Sequence, residues 1–223
     1  MKSRYAAWRA RSQRGLVALG ALLLALASSV QAAQPGPGKS PQRTLLVLGD
    51  SLSAAYGLSA SQGWVALTAE RMAQTKPGWR VVNASISGET TAGGASRIAG
   101  ELTRSRPAVV LLALGANDGL RGLPLEQMRA NLDKMVRAAK SAGAQVLLVG
   151  MRMPPNLGKA YTEGFAQSFQ RVAKEQAVPL LPFLLEPIAQ DRSAFQPDDL
   201  HPTAAVQPRL RDHVWPALEP LLK

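Results

Sequence analysis

Five short apolar runs alternate with amphipathic segments from residue 44 to the end of the chain, and this alternation limits the fold more than any other feature. The runs span residues 44–48, 80–84, 109–114, 145–150 and 178–181. The amphipathic segments span residues 62–75, 92–105, 125–141, 160–177 and 203–222. Continuous apolar strands separated by helices indicate a parallel sheet covered on both faces. The sequence therefore predicts an α/β fold, and Pro208 and Pro216 predict breaks or kinks in the last helix.

The composition fits one globular domain. The 223 residues are 46% apolar and 18% charged, which is too apolar for a disordered chain. The chain has no cysteine, so a disulfide framework, a thiol nucleophile and a Cys-ligated metal site are all excluded.

The N-terminus has the three-part layout of a secretory signal peptide. Residues 1–14 are basic, residues 15–28 are apolar and uncharged, and Val30 and Ala32 stand at the −3 and −1 positions of a cleavage site. The apolar stretch is shorter than the ~20 residues that span a bilayer, which disfavours the alternative of a retained membrane anchor. We predict a signal peptide over 1–32, a flexible Pro- and Gly-rich lead-in over 33–42 and an exported domain, periplasmic or secreted, over 43–223.

The net charge of +11 does not indicate a nucleic-acid-binding protein. Five basic residues and no acidic ones lie in the predicted signal peptide, and removing them leaves a net charge of +6. No long basic run remains, so ordinary solvated surface charge is favoured over a nucleic-acid footprint. An anionic substrate or transient contact with an anionic membrane surface remains an alternative use of the residual charge.

Three polar clusters follow the first three predicted strands directly, at residues 49–51, 85–88 and 115–118. Ligands of parallel sheets bind beyond the carboxyl ends of the strands. In the first cluster, Ser51 occupies a turn between a strand and a helix, where a hydroxyl can act as a nucleophile if a base and oxyanion donors lie nearby. The alternative is a helix N-cap. Ser53 stands where the second Gly of a G-x-S-x-G elbow would be.

The chain contains only two histidines, so the base has few candidates. His201 lies in a loop three residues after Asp198, a spacing that lets the carboxylate reach the ring and orient it. His213 lies within the last predicted helix, where a packing or surface role is favoured.

The second and third clusters contain candidate hydrogen-bond donors. Gly88 offers a backbone amide that a ligand can approach closely, and Asn117 offers a side-chain amide. Each is a weak signal alone because Gly and Asn are common in turns, and Asp118 could cap a helix or loop.

Taken together, the clusters closely resemble the four blocks of the SGNH hydrolase superfamily. The blocks stand in order as GDSLS (49–53), ISGET (86–90), GAND (115–118) and DDLHP (198–202). Longer stretches resemble the periplasmic acyl-CoA thioesterase I/lysophospholipase/arylesterase group, among them LLVLGDSLSAAYGL, VVNASISGETTAGG, LGANDGLRGLP and LLVGMRMPPNLG. The resemblance implies a three-layer α/β/α fold with a flavodoxin-like five-stranded parallel sheet.

The resemblance also implies roles for individual residues. Ser51 would be the nucleophile, His201 the base and Asp198 the residue that orients it. The oxyanion hole would consist of the amides of Ser51 and Gly88 and the side chain of Asn117. One departure leaves the acid open: the family pattern is Asp-Gly-x-His-Pro, and Asp199 replaces that Gly here.

Two loops rich in Gly, Pro and apolar residues, 119–125 and 151–158, border the acyl chain in the resembled group. We expect Leu120, Met153 and Pro154 to contact the substrate, although ordinary loop packing is the alternative for each. Arg121 and Arg152 could meet an anionic head group, but solvated surface roles are favoured for both.

The predicted substrate is therefore a small-molecule or lipid-like acyl ester or thioester. The alternatives are a carbohydrate O-acetylesterase of the same superfamily and a non-catalytic binding protein on this fold. No metal-ligand cluster or Gly-rich phosphate loop appears, so we expect no metal and no cofactor. We expect no nucleic-acid partner, and we expect the domain to act as a monomer.

Overall fold

Five parallel strands form one sheet in the computed structural model, which describes residues 42–223. The predicted signal peptide and all but the last residue of the lead-in lie outside the described residues. The strands are β1 (Arg43–Gly49), β2 (Trp79–Asn83), β3 (Val109–Ala113), β4 (Gln145–Val149) and β5 (Leu180–Leu181). Their order is β2-β1-β3-β4-β5, and each neighbouring pair is parallel. The predicted flavodoxin-like α/β fold is confirmed.

Six α-helices in residues 42–223 connect or follow the strands. They are α1 (Trp64–Thr75), α2 (Thr91–Ser105), α3 (Ala116–Leu120), α4 (Leu125–Ser141), α5 (Lys159–Gln176) and α6 (Gln207–Leu218). Helix α3 was not predicted, and it takes up the start of a segment predicted as loop. Pro208 stands in the first turn of α6, where a missing N–H costs nothing, so it begins the helix rather than breaking it. Pro216 lies inside α6, which ends two residues later.

The sheet separates two apolar layers because successive strand residues point to opposite faces. On one face, Leu45 and Val47 pack with residues of α1 and α6, and on the other Leu46 and Leu48 pack with residues of α2, α4 and α5. Strand β3 is buried throughout, which explains its continuous apolar sequence. None of the helices in the described part of the chain is long and apolar enough to cross a membrane.

The order of the strands reverses at β1, which has β2 on one side and β3 on the other. A crevice forms at such a point because the connections on its two sides leave in opposite directions. Strand β1 leads into the residue 50–57 turns that carry Ser51, and β3 leads into α3, which carries Asn117. The topology therefore brings the first and third sequence blocks to one edge of the sheet.

Trp64 and Gln207 hold the loop after β1 in place. The buried indole of Trp64 donates a hydrogen bond to the carbonyl of Leu52 over 3.0 Å. The backbone amide of Trp64 donates to the side chain of Gln207 over 2.9 Å, and the Gln207 side-chain amide donates to the carbonyl of Pro202 over 3.3 Å. These bonds connect the Ser51 loop to the loop that carries His201.

Candidate active site

Ser51 lies in a series of turns directly after β1. The carbonyl of Asp50 accepts hydrogen bonds from the amides of Ser53 and Ala54, and the carbonyl of Ser51 accepts one from the amide of Tyr56. After Ser51, the next α-helix begins only at Trp64, so the alternative that Ser51 is an α-helix N-cap is wrong. The turns leave the Ser51 side chain half-buried at the end of the sheet.

Three side chains from two distant loops form a hydrogen-bonded chain. The Ser51 Oγ lies 2.8 Å from Nε2 of His201, although 150 residues separate them in sequence. The other ring nitrogen of His201, Nδ1, lies 2.7 Å from Oδ2 of Asp198. With the proton on Nδ1, the ring donates to Asp198 and accepts from the hydroxyl of Ser51, which is the arrangement that a general base requires.

Asp198 and Asp199 have different partners despite being neighbours. Asp198 accepts from His201, whereas Asp199 accepts two hydrogen bonds from the guanidinium of Arg192, at 3.2 and 3.1 Å. Asp199 also has a φ of 55°, in the left-handed region that favours glycine. This backbone conformation explains why the family pattern has Gly here, and aspartate tolerates it better than most residues.

The Asp198 carboxylate is held in its charged form. Its Oδ1 accepts hydrogen bonds from the backbone amides of His201 and Leu200, both at 3.0 Å. The pKa of Asp198 is lowered to about 2, mainly by the amide and side-chain hydrogen bonds of His201 and then by the amide of Leu200. Asp198 therefore stays ionised wherever the imidazole of His201 can act as a base.

The second and third blocks lie together. The side-chain amide of Asn117 donates to the carbonyl of Glu89 over 3.1 Å, and the guanidinium of Arg121 donates to the carbonyl of Gly88 over 2.9 Å. Gly88 has a φ of 79°, which glycine adopts without strain. Within residues 42–223, the backbone amides of Ser51 and Gly88 have no hydrogen-bond acceptor, so both remain available as donors.

The side chain of Asp118 links α3 to the start of α2. The buried carboxylate accepts hydrogen bonds from the backbone amide and the hydroxyl of Thr91, at 2.8 and 2.6 Å, and Asn131 donates to the same hydroxyl. Thr91 is the first residue of α2, so a negative charge there also interacts favourably with the helix dipole. Asp118 is thus a cap for a helix from another part of the chain, and it holds α3 against the start of α2.

Asp50 is a buried carboxyl directly before Ser51. It is 2% exposed, and its Oδ1 accepts a hydrogen bond from the amide of Leu52 over 3.0 Å. Burial raises the pKa of Asp50 to about 6, and the hydrogen bond from Leu52 and the nearby charge of His201 only partly offset this. The charged form of Asp50 is therefore costly in the folded protein.

A cavity of about 520 Å³ opens beside Ser51 and His201. Its volume lies in the ordinary range for small-molecule sites. The walls are mostly apolar and include Leu52, Leu120, Met153, Pro154, Phe183 and Leu185. The three residues predicted to contact substrate, Leu120, Met153 and Pro154, thus all line this cavity.

The two arginines considered for head-group binding occupy different places. Arg121 contacts Gly88, as described above. Arg152 lines the cavity, where it lies 5.1 Å from the ring centre of Phe183 and forms a 3.3 Å ion pair with Glu186. His213 lies in α6 with Nε2 2.9 Å from the carbonyl of Phe183, consistent with the packing role predicted for it.

Sequence reasoning missed Tyr56. Its ring lies 4.4 Å from that of His201, centre to centre, with 35° between the ring planes. Tyr56 stands in the family-like stretch LLVLGDSLSAAYGL, but no local pattern reveals its contact with His201, because the contact joins the loop after β1 to the loop before α6. Residues 42–223 contain no group of three acidic or histidine side chains placed to hold a metal ion.

The chain is similar to known hydrolases over most of its length. A sequence model described as the GDSL-like lipase/acylhydrolase family matches residues 47–207, which contain all four sequence blocks. Esterase TesA of Pseudomonas aeruginosa is 46% identical over 209 residues, which cover 94% of this chain and 100% of that protein. The thioesterase 1/protease 1/lysophospholipase L1 of Escherichia coli is 42% identical over 179 residues, 80% of this chain and 85% of that protein.

Structural similarity is equally extensive. The crystal structure of the psychrotrophic esterase EstA from Pseudoalteromonas sp., inhibited by monoethylphosphonate, matches with a TM-score of 0.78 and 38% sequence identity. The match covers 81% of this chain and 99% of that chain. The similarity therefore extends to the whole sheet and its helices.

Proposed function

Because the chain belongs to the GDSL-like lipase/acylhydrolase family, we propose that it hydrolyses carboxylic esters and thioesters, including arylesters and lysophospholipids, through an acyl intermediate on Ser51. The observation that carries this proposal is the hydrogen-bonded chain from Ser51 through His201 to Asp198, with distances of 2.8 and 2.7 Å, at the side of an apolar cavity. No metal or cofactor takes part in the proposed reaction.

Acylation begins when Ser51 Oγ attacks the carbonyl carbon of the substrate. His201 Nε2 takes the hydroxyl proton as the Oγ–C bond forms, and Asp198 stabilises the resulting imidazolium. The substrate oxygen becomes an oxyanion and accepts hydrogen bonds from the amides of Ser51 and Gly88 and the side chain of Asn117. His201 then gives its proton to the leaving alkoxide or thiolate, and the acyl group stays on Ser51.

Deacylation repeats these steps with water as the nucleophile. His201 Nε2 takes a proton from the water as its oxygen attacks the acyl carbon, and the same donors hold the second oxyanion. The bond to Ser51 Oγ then breaks, and His201 returns the proton to Ser51. The products are the free carboxylic acid and the unchanged enzyme.

The cavity supports an acyl chain over a sugar as the group bound beside Ser51. A sugar ring needs several free hydrogen-bonding groups, whereas most of these walls are aliphatic, methionine, proline and phenylalanine side chains, and two of the polar side chains, Arg152 and Glu186, pair with each other. The named activities of the similar proteins, esterase, thioesterase and lysophospholipase, agree with this choice. A carbohydrate O-acetylesterase is therefore the less favoured alternative.

The substrate would reach Ser51 through an apolar face that contacts lipid transiently. Each large hydrophobic side chain exposed in residues 42–223 lies in a segment that follows a strand at the carboxyl edge of the sheet, the same edge as Ser51. These residues are Tyr56, Ile86, Leu120, Leu123, Leu157 and Leu200. An exposed apolar face that surrounds a site is typical of proteins that dock on membranes or lipid aggregates.

The domain would act outside the cytoplasm after removal of residues 1–32. The support is the order of basic, apolar and small residues at the N-terminus. N-terminal sequencing of exported protein tests this proposal. A mature chain that begins at Ala33 would support it, and one that still begins at Met1 would contradict it.

Hydrolysis of p-nitrophenyl esters from acetyl to palmitoyl tests the proposed activity, with Ser51→Ala as the control. A fluorophosphonate probe, which reacts with activated serines, should label the native protein at Ser51, as peptide mass spectrometry can show. Ser51→Ala should lose both labelling and turnover. Turnover that survives in Ser51→Ala would contradict the proposal.

The same ester series tests the substrate contacts. Met153→Ala and Leu120→Ala enlarge the cavity, so both should shift the preferred acyl-chain length. An unchanged preference in both variants would contradict the assignment of this cavity to the acyl chain.

A further inference from the structure

The ring of Tyr56 covers one face of the His201 imidazole. The two ring centres are 4.4 Å apart, and the 35° tilt leaves the imidazole over the face of the phenol rather than at its edge. The side chain is otherwise exposed, with 52% of its surface accessible, so it is not held there by burial in the core. Two sets of contacts hold Tyr56 in this position, one within the loop after β1 and one that joins this loop to the loop of His201.

The first set ties Tyr56 to Ser51. The backbone amide of Tyr56 donates to the carbonyl of Ser51 over 3.2 Å, within the series of turns after β1. The position of Tyr56 is therefore linked to that of the hydroxyl that His201 contacts.

The second set runs through Gln196. Its side-chain amide donates to the carbonyl of Tyr56 over 2.9 Å and to the carbonyl of Pro202 over 3.1 Å. Its backbone amide donates to the carbonyl of His201 over 2.8 Å. Gly57, which has a φ of 75°, lets the Gln196 side chain approach, because a Cβ at this position would overlap its carbonyl oxygen.

We propose that Tyr56 is a positioning residue that stabilises the protonated form of His201 through the face of its ring. A cation within about 6 Å of the centre of an aromatic ring is attracted by the negative potential of the ring face. Neutral imidazole gains much less from this contact than imidazolium does. Since His201 becomes imidazolium when it takes the Ser51 proton, the contact favours the transition state over the resting state.

Other charged groups also interact with the imidazole of His201, and a variant that tests Tyr56 has to leave these groups unchanged. Asp198 contacts Nδ1 directly, and the buried Asp50 lies close enough for its charge to interact with His201. Asp199 is paired with Arg192 and has no bond to the ring. Neither Tyr56→Leu nor Tyr56→Phe alters any of these groups, so a difference between the two variants reports the aromatic face.

The direction in which the titration midpoint of His201 moves distinguishes an aromatic contact from simple shielding of the imidazole from water. Leucine is smaller than tyrosine and would let more water reach the imidazolium, which would raise the pH at which His201 is half protonated. Loss of the ring face would lower that pH. A lower midpoint in Tyr56→Leu can therefore not arise from better hydration.

The inference rests on the proposed function, but the primary experiment does not depend on turnover. The chain has only two histidines, so in the His213→Gln background of untagged protein the imidazole C–H signals of a single histidine, His201, remain for NMR titration. We expect Tyr56→Leu to lower the titration midpoint of His201 by about 0.4–0.7 pH unit, the shift that an exposed cation–π pair produces. Tyr56→Phe keeps the ring and should stay within about 0.2 pH unit of the parent protein.

Kinetics provide the second readout. The kcat of Tyr56→Leu should fall about two- to fivefold while KM changes little, and the acid limb of its kcat/KM profile should move by the same amount as the NMR midpoint. Tyr56→Phe should retain the kcat and the acid limb of the parent protein. An unchanged or higher midpoint in Tyr56→Leu, or an equal shift in Tyr56→Phe, would overturn the inference. Loss of the proposed function would appear separately, as turnover in Ser51→Ala.

Discussion

Asp198 Oδ2 lies 2.7 Å from His201 Nδ1, and the same carboxylate accepts the backbone amide of His201 through its other oxygen. These two hydrogen bonds fix the short loop between Asp198 and His201, and they set the orientation of the imidazole ring. Asp199 faces the other way, towards Arg192.

Asp198→Ala should lower kcat by about 10³- to 10⁴-fold, because His201 loses the group that fixes its tautomer and stabilises its charged form. Asp199→Gly is the matched control, because glycine accepts the left-handed φ of 55° and only an exposed ion pair is lost. It should retain kcat within about threefold. Steady-state kinetics decide between them, and a larger loss of kcat in Asp199→Gly than in Asp198→Ala would reverse the assignment.

Asn117→Ala should lower kcat by about 10²- to 10³-fold with little change in KM, since its amide is proposed to bind the oxyanion rather than the ground-state substrate. The thermal midpoint should be measured as well, because Asn117 also donates to Glu89. A variant with normal kcat would show that the amide is dispensable for oxyanion binding. Destabilisation without a kcat effect would assign Asn117 a purely structural role.

Asp50→Asn should make the protein more stable above pH 6. The folded-state pKa of about 6 lies above the ordinary value of 3.8, so the stability of the native protein is greatest below pH 3.8 and declines as pH rises through 6. Asparagine keeps the acceptor for the Leu52 amide without a charge, and it should add up to about 3 kcal/mol at pH 8 and little at pH 4. Urea denaturation of the native protein and Asp50→Asn at pH 4 and pH 8 measures the difference between their free energies of unfolding. An equal difference at the two pH values would contradict the prediction.

Two glycines of helix α2 should respond oppositely to alanine. At Gly94 a Cβ would overlap the side chains of Leu114 and Met135, so Gly94→Ala should cost about 1–3 kcal/mol. At Gly100 a Cβ would meet nothing within 4 Å, so Gly100→Ala should add about 0.5–1 kcal/mol through higher helix propensity. Thermal denaturation of both variants tests the packing of α2, and effects of the same sign would contradict it.

Leu157→Glu should weaken binding to anionic phospholipid vesicles by at least about fivefold, because Leu157 belongs to the exposed apolar face around Ser51. Gln74→Glu makes the same change in charge on the exposed surface of α1 and should bind as the native protein does. Cosedimentation with 3:1 phosphatidylcholine and phosphatidylglycerol vesicles measures the binding. Equal loss in both variants would attribute binding to net charge alone.

Much of the fold was predictable because its signals are local. Strands β1 and β3 are continuous apolar runs because both faces of the sheet are covered, and α4 shows its helical period over 17 residues. Helix α3 escaped prediction because five residues are too few to show a period. The fifth strand was predicted to be longer than it is, since apolar content does not show that only Leu180 and Leu181 pair with β4.

The sequence by itself determined the candidate residues Ser51, Gly88, Asn117 and His201, because each stands in a recognisable block and only two histidines exist. It also predicted the succession of strands and helices along the chain, apart from α3, because that succession follows from side-chain periodicity. Only the tertiary structure decided which carboxylate contacts His201, because that choice depends on the backbone conformation at Asp199. The same holds for Tyr56, whose contact with His201 spans two loops that are brought together only when the chain folds.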